Sequence, residues 1–566
     1  MPGSYGSPLA FRASDSRNTP ARRRRPSGAR RASRWLWAGL ALAGMFAVAD
    51  FFAFDALPFM DLPAHAGLFA LRHEMGFSVF EQKFYVLAPH VGSYFLFRLA
   101  GEILSHAFGP SIAIRLLAAG AVVALPLALV DARQRLYGET SAGFGFLGIV
   151  LGFGLMTLFG FASFLFGIAL MIECTAIWLR LIGSTRVPGP LEWQRETALG
   201  AIVVLLFLTH GFAFVLFVAI VAITTLVAGH ATQAYARLPA LIPAGLLAAY
   251  AAWIERASSL PGGSVPVPQP RSGLLFQSAL AKLSLLFAPT LMTRTGVDIV
   301  VCVVVWVIAV GGIVATMAWL RAQGATSLRT PERSPQDALR GLNTPMSARA
   351  LLACCVAFGC AFVLLPHEIG WFGFVDGRLV TVVLILAGMC VPPPAIGWKL
   401  AFGYERVMPC AAFALVGLSL LMTHRFQDEA RGYREVFARI PAFSRVLNIP
   451  VDPNSDAFTG HPFVHYDKLL LIDKPVLLSD VWLHQGSALY PRQANPILGL
   501  PLDYLSSDLR RIEWSRFILT DWDYVLLRTR PAAGTPTIPL ALHLVSHVGG
   551  WWLYDTQGIE GRRTRP

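Results

Sequence analysis

The sequence predicts a polytopic α-helical membrane protein with about eleven transmembrane helices and a small extracytoplasmic α/β domain at its C-terminal end. Three observations carry this. The 566 residues are 55% hydrophobic and only 14% charged, with a mean hydropathy of +0.55, whereas soluble domains carry about 25% charged residues. The apolar residues fall in blocks of roughly 17 to 25, the length that crosses a hydrocarbon core of about 30 Å. Beyond residue 424 the blocks stop and short stretches of mixed helix and strand character take over.

The net charge of +13 does not point to nucleic acid, because much of the positive charge is concentrated near the start of the chain. Nine arginines lie within residues 12 to 34, among Ser, Pro, Ala and Gly. Such a stretch buries too little apolar surface to order itself, so residues 1–34 are expected to be a disordered basic cytoplasmic tail. It precedes the first apolar run and marks that side of the membrane as the positive one. Anionic membrane lipid is its expected partner. The run that follows is too long for a cleaved signal peptide. All seven cysteines lie in apolar segments, so no disulfide framework is expected in the polar C-terminal stretch.

In chain order, spans are expected at 35–54, 112–131, 141–158, 161–180, 197–209, 211–229, 238–254, 298–320, 349–366, 379–395 and 402–423. Residues 86–108, "VLAPHVGSYFLFRLAGEILSHAF", place Arg98, Glu102 and His106 four apart, which makes one polar stripe on a helix. Each charge at mid-bilayer costs roughly 2.5–3.5 kcal/mol, so this helix is expected to lie in the interface. With it there, the downstream cytoplasmic loops hold 13 Lys and Arg and the outer loops five; making it a span would invert that balance. The N-terminus is then inside, the C-terminus outside, and the transmembrane region 35–423 carries outer loops 55–111 and 255–297. Within the second loop, the Gly/Pro-rich 260–271 cannot form a helix, and "SGLLFQSALAKLSLLF" after it reads as a helix along the outer surface.

Residues 424–566 read as the extracytoplasmic α/β domain. "DEARGYREVFARI" has the spacing of an amphipathic helix, and "SRVLNIPV", "DYVLLRT" and "LALHLVSH" read as strands. His461 with His465, and His543 with His547, have a spacing that binds metal on a helix. Their surroundings read as loop and strand, so they are expected to be ordinary polar histidines.

The chemistry-bearing residues gather on the outer face. "FMDLPAHAG", residues 59–67, sets Asp61 and His65 at the membrane edge beside the rigid Pro63. "LTHGF" sets His210 at a break between two apolar stretches, and "FVDGRLV" sets Arg378 at the outer start of the tenth span. The cytoplasmic loops are short and basic without a phosphate-cradling glycine loop, so no nucleotide cofactor is expected. Each residue also has a bland account: Asp61 as a helix cap, His210 as the closure of a helix hairpin, Arg378 as a side chain snorkelling to the interface.

Taken in order, these features resemble the GT-C glycosyltransferases, the class of polyprenyl-phosphate-dependent mannosyl- and aminoarabinosyltransferases, and within it a set of bacterial membrane proteins without assigned substrates. The residues that carry the resemblance are the acid after the first span, the interfacial helix ending in "FGPSIAIRLL", the basic turn "DARQRLYG", and the split span pair "LLFLTHGFAFVLF". A long outer loop follows the seventh span, and the likeness covers roughly residues 35 to 425.

The resemblance implies a GT-C-like fold with Asp61 in the catalytic place, as base or metal-linked acid. It implies His210, where many members have "LTKG", and Arg378 as contacts to the lipid-linked phosphate, with Arg115 as a further donor and His65 supporting the loop. It implies transfer, with inversion, of a sugar from a polyprenyl phosphate to a glycan or lipid acceptor of the envelope, at the periplasmic or extracellular face of the bacterial inner membrane. One departure stands out: many members carry another acid outside the third and fourth spans, where this chain reads "MTLFGFASFLFG". Glu74 or Glu81 would have to serve, or the reaction runs without metal; a divalent metal stays open. The alternatives are an envelope polysaccharide transporter or scaffold and an inactive relative. The chain has no convincing inverted repeat and its polar residues collect at one face, which favours the enzyme over the transporter. Beside cationic groups, Asp61 is expected to stay ionised.

Overall fold

The computed structural model describes residues 27–559 except 88–90, 184–189, 228–230, 258–272, 327–343, 371, 482–488, 493–511, 513, 515–516, 531–533, 537 and 540. Most of the basic tail, and the linker 260–271, lie outside the described residues. Where description begins, the chain is already helical: α1 spans Ser27–Phe52, so its first turns extend the apolar run back into the stretch expected to be disordered. Ala and Arg, both good helix formers, make that extension inexpensive.

The helices that follow are α2 (Leu62–Glu74), α3 (Val79–Phe84), α4 (Phe95–Phe108), α5 (Pro110–Tyr137), α6 (Ala142–Gly152), α7 (Leu155–Leu158), α8 (Ala162–Ile182), α9 (Pro190–Thr209), α10 (Gly211–Val227), α11 (Ala231–Arg237), α12 (Ile242–Ala257), α13 (Ala279–Leu285), α14 (Val297–Thr326), α15 (Thr344–Leu364), α16 (Val375–Cys390) and α17 (Trp398–Ala430). The expected spans overlap these helices, the third of them divided between α6 and α7. Among the described residues, seven helices are long and apolar enough to cross a membrane, and α6 and α10 are shorter apolar ones. This is a multi-pass membrane protein. Helix α4 has 14 residues, about 21 Å at 1.5 Å per residue, too short to cross.

The third expected span, 141–158, is broken. Its helix stops at Gly152 and restarts at Leu155, whose N–H is satisfied by the Ala288 carbonyl at 2.9 Å. Irregular backbone inside an apolar bundle survives only with such a partner. Gly154 permits the approach, since a Cβ there would sit 2.1 Å from the Pro289 carbonyl oxygen.

Two ends of the bundle have different chemistry. At one, the Arg133 guanidinium lies 3.6 Å from the Phe144 ring centroid and donates to the Val391 carbonyl at 2.8 Å, holding α5, α6 and the end of α16 together. At the other end, the turns after α1 and α7 meet the C-terminal part of the chain, the turns after α9 and α15 meet each other, and it is there that the candidate residues lie.

After α17 the chain turns at Gly432, whose φ of +89° and close contact with Val548 exclude a side chain: a Cβ would lie 2.5 Å from Val548 Cγ1. The helix read over 428–440 is therefore two pieces, the end of α17 and α18 (Tyr433–Ala438). A five-stranded sheet follows. In chain order its strands are Arg445–Ile449, Leu477–Leu478, Tyr524–Arg528, His543–Val548 and Trp551–Asp555. The first lies between the second and third and runs parallel to both; the last pairs antiparallel with the third and with His543–Val548. Strand alternation divides its residues: Val446 and Leu553 join the core of the helix bundle, while Leu447 and Trp552 form a separate cluster on the far face. One sheet face is thus seated on the bundle. A small antiparallel pair, Tyr85–Leu87 with Leu489–Pro491, ties the loop after α1 to the same C-terminal part.

Candidate functional site

Asp61 is the N-cap residue of α2, with a proline in the first turn, and its carbonyl accepts from the His65 N–H at 3.0 Å. Its carboxylate makes no capping hydrogen bond; it turns instead toward the C-terminal part, where His465 Nε2 lies 3.7 Å from Oδ1. The Asp61 N–H donates to the Phe159 carbonyl at 3.2 Å, and that of Met60 to the Leu158 carbonyl at 2.8 Å. The α7–α8 turn, where no carboxylate stands in the sequence, thus contributes backbone acceptors to the site. Gly160 closes that turn with a φ of +79°, and a Cβ there would lie 3.0 Å from the Asp61 backbone nitrogen.

His465 opens a short 3-10 turn, Tyr466–Leu469, packed against α2 where Gly67 leaves room: a Cβ at Gly67 would lie 2.7 Å from the Lys468 carbonyl oxygen. Behind the imidazole, Nδ1 lies 4.0 Å from Asp480 Oδ2. Lys468 Nζ donates to that same Asp480 oxygen at 3.0 Å and to Asp467 at 3.0 and 3.1 Å. A row of alternating acidic and basic side chains therefore leads away from Asp61.

A second pole forms around His210, which is 1% exposed. The Ala213 N–H donates to its Nδ1 at 3.4 Å, so the ring proton belongs on Nε2. That Nε2 lies 3.3 Å from the Tyr94 hydroxyl and 3.4 Å from Arg378 Nη1. The Arg378 guanidinium is stacked among Phe161, Phe164 and Phe372, 4.3, 5.0 and 4.4 Å from their ring centroids, and its Nε has no partner among the described residues. Three N–H or O–H donors converge here, and the oxygens that face them are the Tyr94 hydroxyl and the Gly373 carbonyl, which accepts from Arg378 Nη2 at 3.4 Å. The group is complementary to an oxyanion.

Backbone strain collects at the same place. Among the described residues, three non-glycines have positive φ, and two of them border this pole: Tyr94 at 69° and Phe374 at 58°. Bulky residues in this region cost of order 1–3 kcal/mol each and persist where surrounding structure holds them for a purpose. Tyr94 caps α4 with its hydroxyl on His210, and Phe374 caps α16 one turn before Arg378.

The two poles share one electrostatic field. Burial pushes the Asp61 carboxyl up to about 8, against the opposing pull of the Arg378 guanidinium. The expectation of an ionised Asp61 is thereby corrected: one partly offsetting cation does not outweigh removal from water. Tyr94 is likewise raised by burial first, with Arg378 lowering and Asp61 raising it. Burial also lowers His465 to about 3, with Lys468 and His65 pushing the same way and Asp480 opposing.

The structure brings Asp61, His210 and Arg378 to one end of the bundle and sets His65 one turn below Asp61, its ring edge-on to Phe97 with centroids 5.2 Å apart. Arg115 stands apart from the pair of poles. Its guanidinium donates to the carbonyls of Phe51, Phe54 and Asp55 at 2.7, 2.6 and 2.6 Å, so it caps the open end of α1 instead of facing Asp61. Glu74 ends α2, some 13 residues or about 20 Å along the helix from Asp61. Glu81 is buried in α3 beside Tyr85. The acid that backs the site is Asp480, reached through His465, which sequence reasoning set aside as an ordinary polar histidine. The other three histidines of that spacing fit the plain reading: His461 meets Asn454 at 2.9 Å, His543 pairs with Asp555 at 3.5 Å and His547 stacks on Trp552.

No described group of three or more His, Cys, Asp or Glu is placed to hold a divalent metal, and Asp480 already holds the Lys468 ammonium.

The chain is similar in structure to ArnT from Cupriavidus metallidurans, solved bound to undecaprenyl phosphate, at 13% identity and a TM-score of 0.48 over 94% of this chain and 100% of that one. The likeness is structural, at low sequence identity. It extends to the arabinofuranosyltransferase AftD from Mycobacteria, at 15% identity and 0.47 over 94% of this chain, which spans 40% of AftD. It extends also to the oligosaccharyltransferase AglB from Archaeoglobus fulgidus, solved with an inhibitory peptide and a dolichol-phosphate, at 10% identity and 0.42 over 87% of this chain and 69% of that one. No family model matches the sequence, and no curated protein matches it.

Proposed function

We propose that this protein transfers a sugar from a polyprenyl phosphate to an acceptor hydroxyl at the extracytoplasmic face of the bacterial inner membrane. The observation that carries the reading is the pairing of two poles at one bundle end: an uncapped buried carboxylate, Asp61, and a donor cluster, Tyr94, His210 and Arg378, within its electrostatic reach. Glycosyl transfer needs a base for the acceptor hydroxyl and fixed positive charge for the departing phosphate. Arg378 and the Nε2–H of His210 supply the second function, held by the aromatic stack that keeps water from the guanidinium. Asp61 supplies the first by orienting the acceptor oxygen and taking its proton as the new bond to the sugar forms. The excess of Lys and Arg in the loops opposite the site supports placing the site outside and the N-terminus in the cytoplasm.

The test is a mass-spectrometric comparison of cell-envelope glycans from wild type, a deletion strain, and the deletion complemented with Asp61→Asn. The expected result is one sugar missing from the deletion and still missing with Asp61→Asn, at near-normal membrane abundance of the variant. Full restoration by Asp61→Asn, or glycans unchanged by deletion, overturns the proposal.

A further inference from the structure

Residues 273–287, "GLLFQSALAKLSLLF", carry one charge, Lys282, and the fold turns this segment inside out. Lys282 is 9% exposed, whereas Leu280 and Leu283 on the same short helix, α13, are 79% and 58% exposed. The ammonium donates to the carbonyls of Phe362, Val363 and Leu365 at 2.9, 2.9 and 2.6 Å, at the open end of α15, and lies 3.6 Å from Asp376 Oδ2. Both serines of the segment bond within it. The Ser278 hydroxyl accepts from the Ala281 N–H at 3.3 Å, and that of Ser284 donates to the Ala281 carbonyl at 2.6 Å. Ahead of the helix, Leu274 and Leu275 pair with Ile369 and Glu368, and Leu274, Leu275, Phe276 and Ile369 are all exposed. Against water this arrangement is unfavourable twice over, with a cation buried and a row of apolar side chains left out.

The depth of the segment is fixed by its neighbours. The Leu286 carbonyl accepts from Cys302 Sγ at 3.3 Å and from Trp306 Nε1 at 2.9 Å. Side chains on a helix lean toward its N-terminus. That carbonyl therefore sits near the level of Cys302, five residues or about 8 Å inside the start of α14. Helix α14 is long and apolar enough to cross a membrane, and its exposed apolar residues begin at Val297, Ile299 and Val300, above that level. Two residues further on, the Ala288 carbonyl receives the Leu155 N–H where the third expected span is broken. The chain thus descends from the turn after α15 to Leu286 and returns to the start of α14. Irregular backbone at such depth is tolerated where protein packs around it.

We infer that residues 273–289 form a re-entrant arm whose apolar face lies in the acyl chains of the leaflet on the Asp61 side of the membrane. Three observations select lipid as the occupant. The face adjoins Val363 and Leu364, exposed on the last turn of α15; the arm reaches below the start of α14; and its one cation is turned away from the face. The inference is independent of sugar transfer. Through Lys282 the arm also grips the turn that carries Asp376, two residues before Arg378, so the lipid surface and the Arg378 pole share one support.

The test places a single cysteine at Leu280 of the full chain, in a background lacking the exposed Cys360 and Cys410. The cysteine is labelled with an environment-sensitive fluorophore and the protein reconstituted in phosphatidylcholine vesicles. Its emission is expected to be blue-shifted, to be lost when the vesicle lipid is brominated along its acyl chains, and to be untouched by aqueous iodide. A label at Asp456, whose side chain is 77% exposed, should respond in the opposite way. Leu283→Cys serves if Leu280→Cys does not fold. Quenching of the arm label by iodide and not by brominated lipid overturns the immersion. Quenching by neither shows protein covering the face and overturns it equally.

Discussion

Arg378 Nη1 lies 3.4 Å from His210 Nε2, two nitrogens that both carry protons once the Ala213 N–H has claimed the other side of the imidazole. Neither satisfies the other, and an anionic oxygen between them would satisfy both. Removing the guanidinium should therefore weaken donor binding. Hydrogen bonds to charged groups are worth about 1.5–3 kcal/mol, so Arg378→Ala is expected to raise KM for a polyprenyl-phosphate sugar by about ten- to a hundredfold. Arg378→Lys should recover only part, since an ammonium cannot reproduce the planar stack on Phe161 and Phe372. Steady-state kinetics in proteoliposomes reads this directly; an unchanged KM would remove Arg378 from the donor site.

The raised Asp61 gives a pH signature. Below about 8 the carboxyl in the free protein keeps its proton, and the basic form accumulates as pH rises through that value. The kcat/KM profile, which reports free-enzyme groups, is expected to rise with pH to an inflection near 8. A profile flat from pH 5 to 9 would contradict a role for Asp61 as base.

His465 should govern stability in acid. It is held near 3 when folded against 6.5 for an ordinary histidine, so the unfolded chain binds the extra proton. Its contribution is whole above about 6.5 and is lost as pH falls from there toward 3. At pH 5 the loss is about 2 kcal/mol. Thermal unfolding in detergent at pH 7 and pH 5 is expected to show a smaller drop for His465→Gln than for wild type.

Gly160→Ala tests the close turn against Asp61. The left-handed φ costs about 1–2 kcal/mol for an alanine, and its Cβ must press the Asp61 backbone by a few tenths of an ångström. We expect a lower Tm and a larger proportional loss of transfer, because the displaced atoms include the Asp61 Cβ that carries the carboxylate. A loss of Tm with kinetics intact would show that the turn is structural alone.

Orientation can be read with an impermeant thiol reagent on intact cells, in a background lacking the exposed Cys360 and Cys410. Asp456, on the C-terminal side, and Trp398, at the start of α17, each expose 77% of the side chain or residue. A cysteine at 456 should label from outside and one at 398 should not; the reverse pattern would invert the topology.

The helices were legible because crossing a bilayer demands apolar length, a signal that packing cannot erase. Asp61, His210 and Arg378 were legible for the same reason, since each polar residue interrupts or borders such a run. His465 was not. In a polar stretch a histidine carries no mark of its neighbour, and the turn that aims it at Asp61 depends on a sheet seated on the bundle. One local signal was present: "HPFVHYDKLL" sets a histidine, an acid and a lysine into an aromatic and aliphatic context, where charge is buried only when paired. Arg115 shows the opposite failure. An arginine in the first turns of a helix at the membrane edge serves a ligand or a neighbouring helix end equally well on paper, and the carbonyls of α1 decide it.

The pairing of Tyr85–Leu87 with Leu489–Pro491 has a consequence for how the molecule is made. The strand that follows Asp61 finds its partner, and Asp61 its histidine, only after some 400 more residues have been synthesised and threaded. At about 5–20 residues per second, the first loop waits on the order of tens of seconds with its carboxylate uncovered. A chain released after residue 430 and before 465 carries every helix of the bundle and lacks the histidine that stands 3.7 Å from Asp61. Assembly of that contact thus reports synthesis past residue 465.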